Sequence, residues 1–98
     1  MSDKNDKSFV VKRNDDEKFD TNVRAVISEI ESLLGRIREN EGVETQIIRK
    51  DTEKGVGVRV SISDHEAVDA ILEKIDQILR RMGRRKRLEI ESHVHESV

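Results

Sequence analysis

Six of the eight residues in Arg80-Arg81-Met82-Gly83-Arg84-Arg85-Lys86-Arg87 are basic, and five of the six are arginine. A guanidinium offers a planar fork of donors that matches a carboxylate or a phosphate oxygen pair, and each neutralised phosphate releases counterions. Arg80, Arg81, Arg84, Arg85, Lys86 and Arg87 are therefore the candidate residues for binding nucleic acid or an acidic partner. A plainer role competes with this one. Arg80 and Arg81 could complement the negative end of a helix stopped by Gly83, with the other cations solvating the loop after it. Two other groups invite a chemical reading. His93 and His95 alternate along a strand-like segment, about 7 Å apart, and Glu89 and Glu91 continue the same face. Two imidazoles with a carboxylate make a ligand set for zinc or nickel. No third histidine lies nearby and the chain has no cysteine, so a solvated strand face is the favoured reading, and no metal is expected.

Glu89 and Glu91 also have the form of a general acid/base pair. That chemistry needs one carboxyl held protonated by burial, which an open polar strand does not provide. The chain lacks a Gly-x-Ser-x-Gly elbow, a phosphate-binding loop and a dinucleotide fingerprint. Gly55-Val56-Gly57 is too short to cradle a phosphate and reads as structural. No catalytic residue, cofactor or small-molecule substrate is expected.

The elements that must carry these residues come from hydrophobic periodicity. Val23, Val26, Ile27, Ile30, Leu33, Leu34 and Ile37 follow helical spacing, and Val68, Ile71, Leu72, Ile75, Ile78, Leu79 and Met82 repeat it 45 residues later. The first helix is expected from a cap at Asp20 or Thr21 to about Glu39, ended by Asn40, Glu41 and Gly42. The second is expected behind a capping box, Ser63-Asp64-His65-Glu66, and ends at Gly83. Val43–Lys50 alternates as a strand. Asp51–Gly55 reads as a hairpin loop with a glycine suited to a bulge. Val56–Ile62 alternates most cleanly, with valines and isoleucine on one face and Gly57, Arg59 and Ser61 on the other. Leu88 to about His95 is the last strand. Ser8–Arg13 is a short strand with Phe9 and Val11 facing one way, and residues 1–7 read as a disordered tail.

The order βαββαβ resembles the ferredoxin-like sandwich, an α+β fold with two helices on one face of a four-stranded antiparallel sheet. Without the first strand the fallback is αββαβ on three strands. Residues 8–98 form the single domain. The segments 43–50 and 88–95 fall at the sheet edges. The outward-facing Val10 and Ile48 need no explanation as isolated surface residues, the alternative being a self-association patch.

Composition narrows function further. Charged residues make up 41% of the chain and apolar ones 34%, with a formal net charge of −2, which excludes a globally basic nucleic-acid binder. Phe9 and Phe19 are the only aromatics, so base-stacking platforms of the RNA-recognition type are missing. No apolar run spans a membrane and no signal peptide is evident, so a cytoplasmic location is expected. The expected function is a small non-enzymatic interaction or oligomerisation module. It would bind a protein partner or itself through a sheet edge or a charged helix face, including Arg24, Glu31, Arg38 and Glu41. The alternative is a nucleic-acid-binding or regulatory protein that uses residues 80–87.

Overall fold

The computed structural model describes residues 4–63 and 66–96, with side chains described for residues 6–63 and 66–92. The elements are β1 (Lys4–Lys12), α1 (Phe19–Glu41), β2 (Thr45–Asp51), β3 (Gly55–Ser63), α2 (Val68–Lys86) and β4 (Ile90–Glu96). The four strands form one antiparallel sheet in the order β2-β3-β1-β4, so β2 and β4 are its edges. Alternation assigns the two faces. Phe9 and Val11 of β1 and Val56, Val58, Val60 and Ile62 of β3 are buried beneath the helices. Both stripes meet them: Val23, Val26, Ile30, Leu33 and Leu34 of α1, and Val68, Ile71, Leu72, Ile75, Leu79 and Met82 of α2, are buried in one core. The fold is the four-stranded α+β sandwich, and the three-stranded fallback does not apply. No helix among the described residues is long and apolar enough to cross a membrane.

Several boundaries differ from expectation, each for a local physical reason. β1 begins at Lys4, inside the segment expected to be a disordered tail. β1 is a central strand, paired in register with β3 from Lys4↔Ser63 onward and with β4 from Asn5↔Glu96. Ladder bonds on both sides hold polar residues that have no apolar pattern of their own. The rest of that tail, residues 1–3, lies outside the described residues. α1 starts at Phe19 rather than after Asp20. The chain turns earlier because the Asp16 side chain accepts from the Lys18 N–H at 2.9 Å and its carbonyl accepts from the Phe19 N–H. Phe19 is thereby buried, with the Arg13 guanidinium 5.1 Å from its ring centroid.

The capping box does not form. Ser63 closes β3, and its hydroxyl accepts the Glu44 N–H at 3.0 Å. The residue at the cap of α2 is Ala67, not Ser63; Asp64 and His65 lie outside the described residues. The hairpin is tighter than expected. Thr52 and Gly55 exchange backbone hydrogen bonds around Glu53 and Lys54, and Gly55 has no positive φ, so no glycine bulge is present. Gly55 is required for space instead: a Cβ there would overlap the Val11 carbonyl.

Candidate functional site

The burial stripe of α2 fixes which residues point away from the sheet. With Ile75, Leu79, Met82 and Gly83 packed inward, Arg80, Arg81, Arg84 and Arg85 take the outer side. The expectation that Gly83 ends the helix, leaving the later cations in a loop, is overturned: α2 continues to Lys86. Gly83 serves the packing of the strand entry. A Cβ on it would lie 3.3 Å from the Leu88 carbonyl oxygen and 3.4 Å from Ile90 Cδ1. The helix stops at Arg87, which is left-handed at φ 56°, and the Leu88 N–H donates to the Gly83 carbonyl at 2.8 Å. This is a Schellman-type end. Glycine is the usual residue in that position, yet here it is an arginine, the only described non-glycine residue with positive φ.

The helix therefore arranges the basic run as an ordered surface. Arg80 and Arg84, and Arg81 and Arg85, are each one turn apart, about 6 Å along the axis. The four arginines and Gln77 line an open groove. Its N-terminal half is paired within the protein. Arg80 reaches Asp76 at 3.0 Å, and Arg81 reaches Glu29 of α1 at 3.4 Å. Among the described residues, no ion pair joins Arg84, Arg85, Lys86 or Arg87 to a carboxylate. The segment holds six cations against a whole-chain charge of −2, so the rest of the chain carries a formal −8. The positive end of α2 is thus an isolated patch on an acidic molecule.

Asp76 also reaches inward. Its second oxygen lies 3.4 Å from Nζ of Lys7, which is only 4% exposed and stands on the core face of β1. Lys7–Asp76–Arg80 therefore links the sheet to the arginine face. A second polar link, on the open face of the sheet, joins Arg59 to the buried Asp6. Asp6 and Lys7 have no apolar pattern around them, so spacing alone assigns both to the tail. The Asp76–Arg80 spacing of four was a usable signal for one arm of this chain of charges.

The remaining candidates lie at β4 and along α1. Glu89 and Glu91 are exposed and both hold Lys12, at 3.4 and 2.9 Å. Hydrogen bonding to Glu91 and then to Glu89 raises the Lys12 pKa above the ordinary lysine value, as expected of a surface ion cluster. The side chains of His93 and His95 lie outside the described residues; the backbone register sets them opposite Ser8 and Asp6. Among the described residues, no group of three metal-ligating side chains occurs. Arg24, Glu31, Arg38 and Glu41 are exposed along α1, where charges of both signs give no patch of one sign.

No protein-family model matches the chain, and no curated protein matches it. Solved structures do. The de novo designed protein Foldit4 is 22% identical with a TM-score of 0.62, over 97% of this chain and 99% of that one. The de novo designed protein Ferredog-Diesel is 20% identical with a TM-score of 0.65, over 95% and 86%. SnoaB, a cofactor-independent oxygenase from Streptomyces nogalater, is 12% identical with a TM-score of 0.62, over 98% and 94%. Identities this low carry the fold and nothing of the activity: the chain is an α+β sandwich of the ferredoxin-like kind.

Proposed function

We propose that this domain is a non-enzymatic interaction module that binds an acidic segment of a partner protein through the arginine face of α2. The observation that carries this reading is the C-terminal half of that face. Arg84, Arg85 and Arg87 stand together with no carboxylate paired to them among the described residues. Like charges one turn apart destabilise a helix slightly, and Arg87 adds the cost of a left-handed non-glycine residue. A ligand rich in carboxylates relieves the repulsion and accepts bidentate hydrogen bonds.

Two features favour a short acidic peptide over nucleic acid. Residues 80–87 extend about 10 Å along the helix, whereas duplex DNA presents a charge every 1.7 Å or so of its length. A long polyanion would soon run into the formal −8 carried by the rest of the chain. The open face of β3 adds no stacking platform, since it presents Gly57, Arg59 and Ser61. The β4 edge is a poorer docking surface, because Glu89 and Glu91 charge its start.

Affinity recovery from native lysate, with and without nuclease, tests the reading with the parent and R84E/R85E side by side. The expected result is an acidic protein whose recovery resists nuclease, falls with added salt and is lost with the variant. Nuclease-sensitive recovery would replace it with the nucleic-acid reading. Equal recovery by a folded variant would rule out the arginine face.

A further inference from the structure

The helices cover one face of the sheet, and the other face carries an ordered cross-strand row. From β2 to β4 it reads Lys50, Gly57, Val10 and Glu91, each directly opposite the next in register. Val10 is among the few large apolar side chains left exposed, at 36%, and Ile48 on the adjoining row is another, at 49%. Gly57 is unexplained by the fold. It has no positive φ, and a Cβ there would meet only the Lys50 carbonyl oxygen, at an ordinary 3.6 Å. Glycine weakens the middle of a central strand, and where internal packing does not demand it, it marks close approach by another molecule.

We propose that a second copy of this chain packs face to face on the open sheet, independently of the arginine face. A two-fold axis in the interface, parallel to the strands, exchanges β2 with β4 and β3 with β1. The row Lys50-Gly57-Val10-Glu91 then meets Glu91-Val10-Gly57-Lys50 of the second copy. Each Val10 sits on the flat spot left by Gly57. Each Lys50 approaches the Glu89 and Glu91 carboxylates beside Lys12, which are opposite to it in charge. Such an interface is isologous and closes at two copies. Aligned sheets pack about 30° apart, which shifts the edge strands by only about 4 Å, within reach of a lysine. Four strands of about seven residues present a projected area of about 450 Å² per copy. That lies at the small end of specific interfaces, so the dimer is weak and reversible.

Sedimentation over a concentration series tests the proposal on the full chain. The parent should shift from monomer toward dimer at about 10–100 µM, as suits an interface this small. G57V is the informative variant. A Cβ has room there within the monomer, and in a folded G57V the seat for Val10 is filled, so association falls at least about tenfold. K50E, which leaves the backbone untouched, should weaken the dimer and reverse the effect of salt on it. A parent that stays monomeric throughout would overturn the proposal. So would a G57V protein that dimerises as tightly as the parent, the behaviour expected of pairing through the β4 edge.

Discussion

Replacing Asp76 with Ala removes the carboxylate that faces the buried ammonium of Lys7. Lys7 is 4% exposed, and its register neighbour on the core face of β3 is Val60. Its Nζ lies 3.4 Å from Asp76 Oδ1. Breaking a buried pair costs about 3–5 kcal/mol, mostly from the charge left behind. Asp76 is itself 25% exposed, so water reaches one side of the pair, and the lower figure of about 3 kcal/mol is expected. The lost contact to Arg80 adds little, because Arg80 is 74% exposed and such pairs are worth about 0.3–0.5 kcal/mol. For a domain of this size the loss corresponds to a Tm lower by about 12–24 °C and a urea midpoint lower by about 2 M. R80A is the control and should fall by less than about 1 kcal/mol. K7M/D76L, which removes both charges, should return to within about 1 kcal/mol of the parent. If D76A unfolds within 1 kcal/mol or so of the parent, or the double variant is as damaged as the single one, the pair does not carry the energy assigned to it.

Other perturbations follow from the same geometry. G55A should destabilise by about 2 kcal/mol, read by urea denaturation, because its Cβ overlaps the Val11 carbonyl. R87G should raise stability by about 1 kcal/mol by relieving the left-handed conformation, while weakening binding to an acidic peptide. The Lys12 pKa is raised in the folded protein, so its contribution is complete below the ordinary lysine range and fades as pH rises through the folded value. Urea midpoints of K12Q should therefore decline less steeply than the parent's on the alkaline side. Ser63→Ala removes the acceptor for the Glu44 N–H and should cost about 1 kcal/mol by thermal denaturation.

The architecture was legible because the aliphatic residues repeat with two clean periods. Val23 to Ile37 and Val68 to Met82 could only be helices, and Val56 to Ile62 could only be a strand buried on one face. Local signals failed where tertiary contacts override them. Lys4–Lys7 has no apolar pattern and is strand because β3 and β4 flank it on both sides. Ser63 and Glu66 have capping-box spacing, but the Ser63 hydroxyl is engaged by the N–H of Glu44, just before β2. Gly83 looked like a stop signal and is an interior helix residue, because β4 returns against it. That last difference matters most for the candidate site. The composition of residues 80–87 was visible at once, but their order on a helix depends on Leu88 and Ile90 packing against Gly83. The anchoring of Arg81 by Glu29 spans 52 positions and leaves no trace in local spacing.

The most direct test of the arginine face is a calorimetric titration of the parent and R84E/R85E with a polyglutamate peptide and, separately, with duplex DNA of equal charge. Salt at about 50 and 150 mM spans the range in which exposed charges become screened. The parent should bind the peptide more tightly than the duplex, its affinity should fall with salt, and the folded variant should lose peptide binding. Equal peptide binding by parent and variant, or binding of the duplex alone, would rule out the arginine face as an acidic-peptide site.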